Sequence, residues 1–193
     1  MQTYRTRSWR AFKPGALSDG GDPAAGATAT SLRVLGLDPG SRCTGFGIID
    51  FSAGNAVHVT SGAIRITGES FPERLQEIFA RVRELVIEFH PAEVAIERVF
   101  VNKNADSALK LGQARGAALC GAFSGMVRVF EYSPREIKMA VVGSGGAEKT
   151  QVQHMVKALL HVESRLTADA ADALAVALCH VHGRRLRHLL RAP

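Results

Sequence analysis

From Leu32 onward the apolar residues change their spacing in a definite order, and each change predicts an element. LRVLGLD is a short apolar run that ends in a turn at Asp38-Pro39-Gly40, and GFGIIDF and NAVHVTSGAIRI read as extended segments joined through Ala53, Gly54 and Asn55. Together the three predict an antiparallel meander. Between Phe71 and Phe89 the period lengthens. Leu75, Ile78, Phe79, Val82, Leu85, Val86 and Phe89 recur at helical spacing, and His90-Pro91 ends the run. AEVAIERV predicts another buried strand, Asp106 to Phe123 a helix, and MVRVFEY a strand. Ser133-Pro134 opens a short helix, the stretch from Gly143 to Gly146 breaks the chain, and further helices are predicted over Glu148 to Leu160 and Ala168 to His182.

Four carboxylates interrupt these apolar stretches: Asp38 in LRVLGLDPG, Glu97 in EVAIERVF, and Asp169 and Asp172 in TADAADALAVALCH. Burying an ionised carboxylate without a partner costs several kcal/mol at least, so runs of Val, Ile, Leu and Ala that keep admitting acids call for a reason. A bound hard cation is the commonest one, and oxygen-rich sites suit Mg²⁺ or Mn²⁺ and phosphate chemistry. Each acid has an ordinary alternative. Asp-Pro-Gly is good turn chemistry in any protein. Glu97 could turn to water at a strand end, and Asp169 and Asp172 could be an N-cap and a first-turn residue favoured by the helix dipole. The four together are harder to explain in those terms.

Composition narrows the class. A chain of 193 residues suits one domain of about 160 residues plus a tail. The net charge of +6 favours a polyanionic partner. Part of that charge is gathered at the ends, in Arg5, Arg7, Arg10 and Lys13 and in Arg184, Arg185, Arg187 and Arg191, where runs of charge are commonly just solvated. Cys43, Cys120 and Cys179 are odd in number and far apart, which indicates neither a disulfide framework nor a zinc site and fits a reducing cytoplasm. No apolar run approaches the roughly 20 residues that span a bilayer, so no membrane is implied. Residues 1–31 are read as a disordered N-terminal extension or the product of an early start codon, and 183–193 as a basic C-terminal tail.

Three strands, then helix, strand, helix, strand and helices are compatible with a five-stranded mixed sheet flanked by helices on both faces, the layout of the RNase H-like α/β fold, although the order alone admits other α/β topologies. The positions of the acids narrow it. In such a sheet Asp38 ends the first strand, Glu97 ends a strand that can lie beside it, and Asp169 and Asp172, at i and i+3, share one face of the last helix. LGLDPGSRCTGFGII, AIERVFVNKNADSALKLGQARG, EYSPREIKMAVVGSGGAEKTQVQHMV and TADAADALAVALCH resemble, in order, the successive blocks of the RuvC family of bacterial Holliday junction resolvases. The resemblance runs from about Arg33 to His182.

That resemblance implies a homodimeric endonuclease of recombination and repair that resolves four-way junction DNA by paired nicks, leaving 5′-phosphate and 3′-hydroxyl ends. Asp38, Glu97, Asp169 and Asp172 would be its catalytic acids and would hold two Mg²⁺ ions, with Mn²⁺ able to substitute. One ion would activate a water for in-line attack, and the other would stabilise the leaving 3′ oxygen. The position of Asp169 carries His in some members of the family. Phe100, in the loop with Asn102, Lys103 and Asn104, resembles an aromatic wedge stacked on a base at the junction centre, and Lys138 and Lys149 match phosphate-contacting residues. Arg42 is a further candidate for phosphate contact. Gly112, Gly116 and Gly121 lower helix propensity, and with Ala117 they call for close packing, against the helix's own sheet or across a dimer interface. The RuvA and RuvB proteins are the implied partners.

Three other functions compete. The turn in GLDPGSRCTGFG also resembles the opening of actin and Hsp70 type ATPases, but that class needs two such domains and a second phosphate loop. A ribonuclease H shares the fold and metals and would cut an RNA:DNA hybrid. A silent junction-binding protein would be expected to lack one of the acids, and all four are present.

Overall fold

The computed structural model describes residues 31–99, 104–125 and 127–189. Its centre is a five-stranded mixed sheet of β1 (Leu32–Asp38), β2 (Cys43–Ser52), β3 (Asn55–Arg65), β4 (Glu93–Glu97) and β5 (Arg128–Tyr132), in the order β3-β2-β1-β4-β5. The predicted meander forms β1 to β3, antiparallel throughout, and β4 and β5 add parallel strands beside β1. The β2–β3 hairpin turns on Ala53 and Gly54, which take positive φ of 50° and 87°. Two successive left-handed residues match the strand twist, and glycine at the second removes the Cβ strain there.

Helices α1 (Phe71–Phe89) and α2 (Ala105–Phe123) cover one face, and α3 (Pro134–Val142), α4 (Lys149–Leu160) and α5 (Ala168–Leu189) cover the other. The two-residue period of the strands divides the core. Leu35, Leu37, Val94 and Ile96 pack toward α1 and α2 with Ile78, Val82, Ala114 and Ala118, whereas Val34 and Ala95 pack toward α5 with Leu174 and Leu178. Asp38 shares the Val34 face, and Glu97 the Ala95 face.

Helix ends follow local chemistry. Ser70 and Ser133 each cap a helix, with Glu73 and Glu136 closing the reciprocal bonds of a capping box. α1 stops at His90, which is left-handed ahead of Pro91. α5 runs to Leu189, past the end expected at His182, because Arg and Leu are good helix formers, basic side chains suit a helix C-terminus, and Gly183 costs only about 1 kcal/mol. The helix therefore enters the segment read as a tail. Residues 1–30 lie outside the described residues, as do 190–193.

Candidate active site

Parallel pairing of β1 and β4 sets Leu37 opposite Ile96, so the next residue on each strand, Asp38 and Glu97, stand side by side at the carboxyl end of the sheet. Glycine lets α5 come down on that end. A Cβ on Gly45, opposite Asp38 in the β1–β2 ladder, would lie 2.1 Å from the Asp169 carbonyl oxygen, and one on Gly36 would lie 2.1 Å from that of Ala173. Any larger residue would lift the helix that carries Asp169 and Asp172.

Asp38, Glu97 and Asp172 line a cavity of about 300 Å³ with Lys138 and Lys149, closed by Pro134, Ile137, Val152 and Ala175. Lys138 comes from α3, and Lys149 opens α4 after the Gly-rich turn. The Lys149 Nζ donates to Asp172 Oδ2 at 3.3 Å while the lysine side chain remains 82% exposed, so it is an arm tethered at its tip. A cavity of about 500 Å³ between α3 and α5, bordered by Tyr132, Met139 and Cys179, is larger but gathers no such set of acids.

Electrostatics mark the cavity as a place of surplus negative charge. Burial first, and then the charge of Asp172, push the Asp38 carboxyl up to about 6, with Lys149 opposing the shift. Burial, Asp38 and Asp172 push Glu97 up to about 7, against Lys149 and Lys138. In turn the Asp172 charge and hydrogen bond raise Lys149 above its ordinary value. These are half-buried carboxylates for which the two lysines compensate only in part.

Asp169 lies outside the cavity lining, close enough for its charge to add to the upward shift of Asp38. It lies in the first turn of α5, where the Thr167 hydroxyl, 3.3 Å from the Ala170 amide, takes the capping role that the sequence left open to Asp169. The Asp169 Oδ2 accepts from the Cys43 thiol at 3.2 Å, and burial together with this carboxylate holds the thiol up at about 11. Asp169 faces Cys43 and does not line the cavity. Arg42 is exposed in the turn before β2, away from the cavity lining. Phe100 lies outside the described residues.

Among the described residues no three His, Cys, Asp or Glu side chains are already drawn together as ligands of a single ion. The donor set is nonetheless of the right kind for a hard divalent cation. It is all carboxylate oxygen, it shares one cavity, and the raised pKa values of Asp38 and Glu97 mark a place where a cation would relieve the repulsion between the acids.

Sequence reasoning passed over a fifth acid. Glu93 sits in the same AEVAIE run, four residues and hence an even number of strand positions before Glu97, and is completely buried. Its Oε1 accepts from Arg128 at 2.7 Å and Arg184 at 2.8 Å, and its Oε2 faces His180 Nε2 at 2.6 Å. Arg115 was also missed. From α2 it donates to the Glu97 carbonyl at 3.1 Å and pairs with Glu131, bracing the end of β4. The signal for Glu93 was present as another carboxylate in an apolar strand, whereas no spacing pointed to Arg115.

Comparison with known proteins agrees with this arrangement. Residues 34–180 match the family described as crossover junction endodeoxyribonuclease RuvC. The crossover junction endodeoxyribonuclease RuvC of Methylococcus capsulatus is 55% identical over 153 residues, which span 79% of this chain and 92% of the relative. That of Hahella chejuensis is 52% identical over 151 residues, 78% of this chain and 88% of the relative. The solved structure of Thermus thermophilus RuvC in complex with a Holliday junction substrate superposes with a TM-score of 0.75 at 34% identity, covering 81% of this chain and 96% of that one. The yeast mitochondrial Holliday junction resolvase Ydc2, at 13% identity and a TM-score of 0.62 over 81% of this chain and 82% of its own, shares the fold. From the order of its strands, the acids at one end of its sheet and its likeness to these relatives, the chain belongs to the RuvC family of crossover junction endodeoxyribonucleases.

Proposed function

We propose that this chain is a structure-selective endonuclease that resolves Holliday junctions by paired, symmetric nicks, using Mg²⁺ held by Asp38, Glu97 and Asp172, with Asp169 reached from the same helix. The observation that carries the reading is the shared cavity of Asp38, Glu97 and Asp172 beneath two lysines on separate helices. Bound Mg²⁺, replaceable by Mn²⁺, supplies activation of the attacking water and stabilisation of the leaving 3′ oxygen. The chain's own groups do the rest. Asp38 and Glu97, in their ionised forms, would hold the ion together with Asp172. Lys149, tethered to Asp172 only by its tip, is placed to reach a phosphate oxygen entering the cavity. Lys138 offers a second positive contact across the cavity, and Phe100 is assigned the stacking role at the junction centre. Arg42, exposed before β2, is a further candidate for phosphate contact.

The working unit is a homodimer, so that two sites meet opposite strands of a near-two-fold junction. An apolar stripe on α2 supports this. Leu109 is 63% exposed and Phe123 56%, and, beyond the adjoining backbone of α2 itself, no described atom lies within 4 Å of a Cβ placed on Gly112 or Gly116. Gly121 differs, because its Cβ would meet the Phe79 carbonyl of α1 at 2.6 Å. Two of the three glycines thus leave a smooth outer surface for a partner helix, and one seats α2 on α1. RuvA and RuvB are the proposed partners. No helix among the described residues is long and apolar enough to cross a membrane, and the cytoplasm is the proposed location.

Asp38→Asn tests the assignment of the acids. It removes one charged ligand and almost no binding surface, so junction affinity in Ca²⁺ should stay within a few-fold while cleavage in Mg²⁺ falls by several orders of magnitude. Equal loss of binding and cleavage would remove Asp38 from the chemistry.

A further inference from the structure

Glu93 and His180 are fully buried ionisable groups that play no part in the proposed chemistry, and they are bonded to each other. His180 belongs to α5, Glu93 to β4, and the other ring nitrogen of His180 lies 2.8 Å from the hydroxyl of Tyr132 in β5. A carboxylate only accepts, so the tautomer that fits has Nε2–H donating to Glu93 and Nδ1 accepting the hydrogen bond of the Tyr132 hydroxyl. Arg128 and Arg184 balance the Glu93 charge from the surface. The ring also rests on Phe130, with centroids 4.7 Å apart.

The rest of the α5 contact is largely apolar. Ala173 and Ala177 lie over Gly36 and Gly45, and Leu174 lies over Gly47, contacts whose energy depends little on direction. A hydrogen-bonded tie adds the directional constraint that such contacts lack. His180 is placed to supply it. From Asp172 to His180 along α5 is eight residues, about 12 Å at 1.5 Å each. From Glu97 back to Glu93 along β4 is four residues, about 13 Å at 3.3 Å each. The helix descends from the acid end while β4 rises toward it. Two rulers of nearly equal length joined at the bottom therefore bring Asp172 level with Glu97 at the top.

We infer that His180 is a positioning residue for the metal site, using its bonds to Glu93 and Tyr132 to set the height of α5 and so the spacing of Asp172 from Glu97 and Asp38. The inference rests on the metal-site reading above. Its test is Mn²⁺ binding to the full chain without DNA, followed by electron paramagnetic resonance, beside the Mg²⁺ dependence of junction cleavage and the melting temperature. His180→Phe keeps the ring packing on Phe130 and removes both bonds. It should raise the Mn²⁺ dissociation constant about tenfold, a loss of the size seen when groups that orient ligands are removed. The Mg²⁺ needed for half-maximal cleavage should rise to match, with excess metal restoring much of the rate. Tyr132→Phe breaks one bond and should give a smaller shift in the same direction, and it decides the matter if His180→Phe does not fold. Metal affinity equal to the parent in a folded variant, with only the melting temperature lowered, would overturn the inference and leave His180 a core residue. In the same assay Asp38→Asn should bind Mn²⁺ far more weakly than either variant, and parental affinity there would overturn the site reading itself.

Discussion

Asp38 and Glu97 resist ionisation because burial and the neighbouring acids penalise their charged forms, and that resistance has a pH signature. Both carboxyls are raised in the fold, from 3.8 to about 6 and from 4.5 to about 7. Their contribution to metal-free stability is therefore fully present below about pH 4 and lost as pH rises through about 6 and then 7. Thermal unfolding without metal should show stability falling across that window. Asp38→Asn should flatten the slope and stabilise the metal-free protein at pH 8 by about 1–3 kcal/mol, the order of a shift of two pKa units. A flat profile in the parent would contradict the raised values. Metal competes with the same protons, so the acid limb of cleavage should move to lower pH as Mg²⁺ is raised. Asp169, outside the cavity lining and bonded to Cys43, should be the more tolerant position. Asp169→His, which keeps a donor able to ligate metal, should retain more cleavage at saturating Mg²⁺ than Asp38→Asn, and equal loss would show that the carboxylate is required there.

At the scale of elements, legibility followed the range of the forces. α1 runs from Phe71 to Phe89, as its apolar spacing and His90-Pro91 predict, because period and proline act within a few turns. The acids could be placed at one sheet end because strand and helix periods are local too. What one period cannot reveal is the partner across space. The Glu93 to His180 bond joins residues 87 apart, and Arg115 reaches a backbone carbonyl that any sequence would offer there. The α2 glycines show the same limit. All of them lower helix propensity alike, yet Gly121 is seated against α1 while Gly112 and Gly116 are open. The two kinds should respond differently to substitution. Leu109→Glu, on the open stripe, should leave the fold intact and halve the mass seen by sedimentation. Gly121→Val should instead lower stability by about 1–3 kcal/mol through overpacking. A Leu109→Glu protein that still sediments as the parent does would place the dimer contact elsewhere.

For the whole molecule, the adjacent ends of β1 and β4 supply two acids, the first turns of α5 supply two more, and α3 and α4 bring lysines to the same cavity. The net charge of +6 draws any nucleic acid, which makes affinity a poor guide to specificity. Cleavage should discriminate better, because on the proposed mechanism only a substrate that sets a phosphate into the acid cavity would be cut. The most direct measurement is cleavage of a mobile four-way junction, a linear duplex of the same sequence and an RNA:DNA hybrid, side by side in Mg²⁺ and in Ca²⁺. The account predicts paired nicks at symmetric positions in the junction, with ends that ligase can seal, in Mg²⁺ only, and little cutting of the other two. Preferential cutting of the hybrid, or an uncut junction bound tightly in Mg²⁺, would contradict it.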